Sequence, residues 1–413
     1  MKIRINNVLA LLLFLITYQT AAAQFYPARF LPPNQDWQQL ATTHFKVIYP
    51  AGEESAAFKT GHILEYQYPK IQRLTGGSLS NFPVILYNYS DHSNGMVTSL
   101  HFRSEIAIPA IKGKTLNPAT GGWFKNVASH ELVHALQYSN LGVFGVGRIV
   151  NFFAPDLARS LYGAIPAGLT EGLAVFYESN GVTAGGGRGN YPLFYNQFNS
   201  VFNSSSRWSL GQMVHFPVYT RPLNRYYIGG FKFNQWLIKS YGTKVIRDTN
   251  DFYIQFPFLG YGVALLHTTE KWPWQLYDEF EMDQEKKLNP HKNSLTAALP
   301  LPFEGAAVRR PKWLNDSTLI FYASFYNERP GFYRYDLNTR SVHRIVTTES
   351  VSDYNYAVFD DKSMMVYSYY RPDAIYDNTY KADLMKVDLK TGKEHRITKN
   401  GRVWDPVFLN ENT

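Results

Sequence analysis

From Pro311 onward the sequence repeats itself, and the period admits few architectures. The stretch Trp313-Leu314-Asn315-Asp316-Ser317-Thr318-Leu319-Ile320-Phe321 returns as Val358-Phe359-Asp360-Asp361-Lys362-Ser363-Met364-Met365-Val366-Tyr367, and Val407-Phe408-Leu409-Asn410-Glu411 opens a third copy. The starts lie 45 and 49 residues apart. A second shared segment follows in the first two units: Tyr333-Arg334-Tyr335-Asp336-Leu337-Asn338-Thr339, then Met385-Lys386-Val387-Asp388-Leu389-Lys390-Thr391-Gly392. A period of about 40–50 residues with about four strands per unit is the signature of propeller blades. A closed ring needs at least about four blades. The expectation for residues 301–413 is therefore a partial all-β propeller of about two blades and the start of a third, in a fragment of a longer protein.

The wording of these repeats resembles that of TolB-like propellers, over about a quarter of the chain. The rest must fold differently. A hydrophobic share of 45% with 18% charge excludes a disordered chain or a coiled coil. The chain has no cysteine, which excludes disulfides, thiol chemistry and any thiolate-held metal. A metal here must be held by His and carboxylate. The formal charge of +8 is spread without a Lys/Arg block, so no nucleic-acid partner is implied.

The first residues read as an address. Lys2 and Arg4 precede the apolar run Val8 to Tyr18, and Thr20-Ala21-Ala22-Ala23-Gln24 supplies small residues for cleavage. The run is too short to span a bilayer, so 1–23 is expected to be a signal peptide cut after Ala23. The mature chain would be periplasmic or extracellular, with a core built largely from aromatic side chains.

Between Gln24 and Pro300 short strands and amphipathic helices alternate, an α+β pattern. Strands are expected at His44–Tyr49, Phe82–Tyr87 and Glu105–Pro109. Helices are expected at Ser55–Leu74, Trp123–Tyr138, Thr170–Ser179, Gly229–Tyr241 and Trp274–Lys287.

The chemistry concentrates in Asn126-Val127-Ala128-Ser129-His130-Glu131-Leu132-Val133-His134-Ala135-Leu136-Gln137, an H-E-x-x-H pattern in apolar helical register. Two histidines four apart share one helix face and can converge on one ion, with Glu131 beside that face. A helix with two unrelated histidines is the bland alternative. Metzincins need a further histidine six residues on, but Asn140 stands there. Downstream, Pro166-Ala167-Gly168-Leu169-Thr170-Glu171-Gly172-Leu173-Ala174 places a carboxylate at the opening of a second apolar helix.

Together these segments resemble the gluzincin peptidases, over roughly Trp37 to Leu288. The resemblance implies a thermolysin-like zincin domain over 24–300. It implies zinc on His130, His134 and Glu171, Glu131 as general base, and Glu178 as a partner supporting a zinc histidine. Tyr227-Ile228-Gly229-Gly230-Phe231 resembles the segment whose tyrosine stabilises the oxyanion, so Tyr227 takes that part, with Tyr226 as the alternative. Two departures stand out. The gap between His134 and Glu171 is about twice that of aminopeptidase-type members, and Gly168 occupies a position where tryptophan is usual.

The extra segment, 141–164, is expected to be an inserted helical hairpin that packs, shapes the substrate pocket or touches a membrane. Glu105 to Ile108 is expected to be the edge strand to which an extended peptide adds. Asn94-Gly95-Met96 is not the aminopeptidase G-x-M-E-N signature, so exopeptidase action is unsupported. The glycine-rich run Ala184–Gly189 lacks a Lys-Ser/Thr ending and reads as a loop. The leading functional expectation is a secreted zinc metallopeptidase acting on a peptide or protein substrate. The alternative is a catalytically vestigial peptidase fold that serves as an envelope binding or assembly protein through its propeller.

Overall fold

Phe45, Val47 and Tyr49 are buried while Lys46 between them is exposed, so this stretch can only be a strand with one face on a core. The computed structural model describes residues 32–91, 93–109, 122–182, 186–202, 207–217, 222–288, 301–348, 351–359, 361–376 and 379–408. The proposed signal peptide at 1–23 and the last residues of the third repeat copy, 409–411, lie outside the described residues.

The first half carries a five-stranded sheet of β1 (Trp37–Ala41), β2 (Phe45–Pro50), β3 (Phe82–Tyr87), β4 (Gly95–Thr98) and β5 (Arg103–Ala107), in the order β1-β2-β3-β5-β4. Strands β2, β3 and β5 run parallel, and β1 and β4 close the two sides antiparallel. A parallel pair needs a crossover, and α1 (Glu54–Thr75) provides it between β2 and β3. Gly76, left-handed at φ +81°, ends that helix with its N–H on the Gln72 carbonyl at 2.8 Å.

The expected edge strand is corrected here. Glu105 is paired on both sides, with Ile85 of β3 and Met96 of β4. The chain between Tyr87 and Arg103 turns back as the short strand Gly95–Thr98 and covers the open side of β5. The edge is β4.

Helix α2 (Trp123–Tyr138) is anchored by the Trp123 indole N–H on the Ala107 carbonyl at 2.8 Å. Every residue from Asn126 to Gln137 is buried, so this is a central helix rather than a surface one. The inserted segment forms α3 (Val146–Phe153) and α4 (Pro155–Ser160), broken at Ala154 because Pro155 restarts the helix at its first turn. There follow α5 (Ala167–Tyr177), α6 (Pro192–Phe202), α7 (Leu210–Val214), α8 (Arg225–Tyr241), α9 (Lys244–Gln255), α10 (Tyr261–Thr269) and α11 (Pro273–Leu288). No helix among the described residues is long and apolar enough to cross a membrane.

Beyond residue 300 two antiparallel four-stranded meanders succeed one another. They are β6 (Ala307–Asn315) to β9 (Ser341–Thr347), through β7 (Thr318–Ser324) and β8 (Gly331–Asp336), and β10 (Val351–Val358) to β13 (Glu394–Arg396), through β11 (Met364–Pro372) and β12 (Tyr380–Asp388). The sequence repeat is also a repeat of turn chemistry. Asp336 Oδ1 accepts the Thr339 N–H at 2.9 Å, and Asp388 Oδ1 accepts the Thr391 N–H at 2.7 Å. Ile320, Tyr322 and Phe332 of the first meander share a core with Tyr356, Met365 and Tyr367 of the second. No closed ring forms among the described residues.

The two halves touch through Asp91, in the segment between β3 and β4. Its carboxylate accepts the Tyr380 N–H at 2.7 Å and pairs with the Arg402 guanidinium. Tyr89 and Tyr376 meet edge-to-face beside it at 4.9 Å.

Asp383 organises the second meander. Its buried carboxylate accepts from Arg371 Nη2 at 2.8 Å, Arg396 Nη2 at 2.6 Å and the Gly401 N–H at 2.9 Å. Burial alone would raise its pKa, but the Gly401 N–H and the two guanidinium groups bring it down to about 2. A carboxyl depressed in the folded state stabilises above its unfolded pKa and loses that contribution as pH falls. Asp383→Asn is therefore expected to cost the meander about 2 kcal/mol at neutral pH. Urea unfolding followed by near-ultraviolet circular dichroism measures this, and the wild-type difference should vanish on acidification towards about pH 2.

Candidate metal centre

Helix α2 presents His130 and His134 one turn apart on one face, and α5 brings Glu171 against them. His130 Nε2 and His134 Nε2 are 3.2 Å apart, and Glu171 Oε2 lies 3.3 Å from the first and 3.2 Å from the second. Tetrahedral coordination with bonds of about 2.0–2.1 Å spaces its donors about 3.3 Å apart. The three atoms thus form one face of such a tetrahedron, and this group could hold a metal ion.

The electrostatics suit a cation at that point. Burial disfavours the Glu171 carboxylate, yet His134 and His130 hold its pKa well below the usual range. Burial and the Arg188 charge oppose protonation of His130, but Glu171 and Glu178 outweigh them and raise it to about 9. Glu131 is buried on the same helix. Desolvation raises its pKa, with His130 and His134 offsetting part of the effect.

Glu178 is where the resemblance puts a supporting carboxylate. It is the first residue of a π-helical turn that extends α5, and its Oε2 lies 3.1 Å from His130 Nδ1. With Nε2 turned towards the metal position, Nδ1 carries the proton and donates to Glu178. His134 lacks such support among the described residues, because its Nδ1 is buried without a hydrogen-bond partner.

Sequence reasoning missed Arg188. It sits in the glycine-rich loop and reaches back to the site, with Nε 2.8 Å from Glu178 Oε1 and Nη2 3.2 Å from Glu178 Oε2. Its own N–H also donates to Glu178 Oε1 at 2.9 Å. Against the upward push of burial, Arg188 and then His130 bring the Glu178 pKa down to about 2. The guanidinium also lies 5.0 Å from the Tyr227 ring centre, a cation–π contact that draws Tyr227 to the rim of the site. The only hint in the sequence was a lone cation in a run otherwise made of glycine.

Tyr227 and Tyr226 stand side by side in the first turn of α8, with ring centres 4.4 Å apart. Burial and the nearby Glu171 charge raise the Tyr227 pKa, so its hydroxyl keeps its proton and can donate. The edge strand β4 completes the surroundings. A Cβ built on Gly95 would come within 2.7 Å of Glu131 Oε1, so the strand's backbone runs directly beside that carboxylate.

No known protein family matches the sequence, and neither does any curated protein. Three solved structures align over short stretches of this chain. TolB from Acinetobacter baumannii aligns at 19% identity over 22% of this chain and 21% of its own, with a TM-score of 0.19. An oligogalacturonate lyase in complex with manganese aligns at 18% identity over 27% and 30%, with a TM-score of 0.20. The tricorn protease aligns at 12% identity over 24% and 14%, with a TM-score of 0.17. The chain thus spans less than a third of the length of each.

The departure at Gly168 has a physical reason. Helices α5 and α8 cross with their backbones in contact: a Cβ on Gly230 would lie 1.7 Å from the Gly168 carbonyl oxygen, and one on Gly172 would lie 2.1 Å from the Gly230 carbonyl carbon. A bulky side chain at 168 would meet Val214 Cα at 2.7 Å and the Tyr226 oxygen at 2.8 Å.

Two outcomes follow from this packing. Gly230→Ala forces backbone apart where nothing flexible can yield, so it should destabilise the helical half by about 3 kcal/mol or more, read by thermal unfolding. Glu178→Gln should weaken metal binding by about 10–100-fold, measured by competition with a chromogenic chelator, while the fold survives.

Proposed function

We propose that the chain is an exported zinc-dependent peptidase of gluzincin type, with the catalytic domain over 24–300 and TolB-like blades after it. The observation that carries this reading is the triangle of donor atoms at 3.2–3.3 Å, built from two helices, with the buried Glu131 and the last strand of the sheet beside it. Zinc held by His130, His134 and Glu171 would supply Lewis acidity, polarising a peptide carbonyl and lowering the pKa of water towards neutrality.

The chain's own groups divide the remaining work. Glu131 takes a proton from the attacking water and delivers it to the leaving amine, and its raised pKa suits a group that must carry a proton between the two. Tyr227 donates its hydroxyl proton towards the carbonyl oxygen as negative charge builds there. Glu178, locked by Arg188, fixes the tautomer and ring orientation of His130. Strand β4, at the edge of the sheet, is where an extended peptide would add, lying across Glu131.

The test is direct. The purified full chain should bind one zinc ion and cleave an unstructured protein substrate. Glu131→Gln should keep the zinc and lose about 10²–10⁴-fold in kcat. A chain that takes up no zinc, or a Glu131→Gln variant as active as the wild type, refutes the proposal. The alternative of a vestigial fold that binds partners through its blades requires the wild type itself to be inactive, so the same experiment separates the two.

A further inference from the structure

A cavity of about 500 Å³ opens where α5, α8 and α11 meet, and no residue of the candidate metal centre lines it. That volume suits a small molecule. The lining carries charge of one sign: Lys232, Lys239 and Lys287 contribute to it, and no carboxylate does. Lys232 and Lys239 stand two turns apart on one face of α8, and Lys287 comes from the last turn of α11. Phe176 of α5 and Trp236 of α8 supply an apolar wall, and Gln284 of α11 an amide.

Lysines on a solvated surface need no ligand, because water satisfies them. Lys232 differs. It is half-buried, and its ammonium lies 5.5 Å from the Phe231 ring centre and 5.7 Å from that of Phe198. Ring faces favour a cation at that point, but they give its three N–H donors no oxygen to bond. Among the described residues Lys232 makes no hydrogen bond or ion pair, and neither does Lys239. Burial, and then the Lys287 charge, hold the Lys232 pKa below the usual lysine value, with no acidic group against them. Lys287 pairs with Asp283, which stands outside the lining. Three ammonium groups against that one carboxylate leave two positive charges without a counter-charge.

Like charges gathered in a partly dry cavity repel one another, and an anion between them removes the repulsion and meets the free donors. The aromatic wall beside them favours an anion with an apolar body over a bare, strongly hydrated ion. We propose that this cavity binds a small organic anion, with its carboxylate or phosphate between Lys232 and Lys287 and its apolar body against Phe176 and Trp236. This inference is independent of the peptidase reading.

Isothermal titration of the full chain with phenyl phosphate and with benzoate tests it, with benzyl alcohol as the neutral control. At least one of the anions should bind saturably at one site per chain, about tenfold or more tighter than benzyl alcohol. The anion that binds tells a phosphate site from a carboxylate site. Lys232→Met keeps an apolar stem on the rings and removes the charge, and should weaken binding at least about tenfold. Lys287→Met alters an exposed side chain, leaves the fold intact and should weaken binding as well. The anion should raise the melting temperature of the wild type and leave that of Lys232→Met unchanged. No saturable binding of either anion, benzyl alcohol bound as tightly, or wild-type affinity in either variant overturns the proposal. Binding that His134→Ala abolishes while Lys232→Met keeps it would put the anion at the metal centre, and overturns it too. So does retention of tetraglutamate with neither small anion bound, since the lysines would then serve an acidic peptide.

Discussion

The crossing of α5 and α8 is the constraint on which the candidate centre depends. Helix axes ordinarily stand about 8–10 Å apart, with side chains between them. Here three glycines remove the side chains, and the Gly168 carbonyl lies where a Gly230 Cβ would have to be. Glu171 sits between two of those glycines on α5, and Tyr227 sits one turn before Gly230 on α8. The same closeness therefore sets the ligand carboxylate and the tyrosine hydroxyl in one depression. Tryptophan at position 168 would drive the two helices apart.

Around that crossing the buried charges form a relay. A lone buried carboxylate such as Glu178 would be driven to take up a proton, and a lone buried guanidinium would be strongly disfavoured. Paired, and joined to His130, they satisfy one another and extend the order of α5 through its π-helical turn into the glycine-rich loop. Gly187, at φ +74°, lets that loop pass within van der Waals reach of the Glu178 backbone and aim Arg188 inward. The loop is thus a structural part of the centre rather than a connection between helices.

What could be read from the residues was what has a period or a spacing. The helix Trp123–Tyr138 is found at its expected bounds, because apolar residues recur at helical intervals around His130 and His134. The repeated Asn, Asp and Ser turns located both meanders for the same reason. Glu171 was legible as a carboxylate opening an apolar helix. Strand order was not, since a four-residue strand such as Gly95–Thr98 is too short to show alternation, and its place at the edge is set by the path between β3 and β5. Arg188 was illegible because its role arises only when the segment after α5 folds back onto Glu178, beside His130, which lies 58 residues earlier in the sequence. The role of 141–164 stayed open between packing, shaping a pocket and touching a membrane, because hydropathy alone does not say which face a glycine will claim.

Asp91 gives the architecture a direction in time. The segment that leads into the edge strand beside Glu131 is tied down by Tyr380 and Arg402, residues made some 290 and 310 positions later. During synthesis the helices that carry His130, His134 and Glu171 can fold while Tyr380 and Arg402 have yet to reach Asp91. The rim of the cleft is then complete only when the second meander has emerged. A chain organised in this way finishes the surroundings of Glu131 last, after most of its length is already folded.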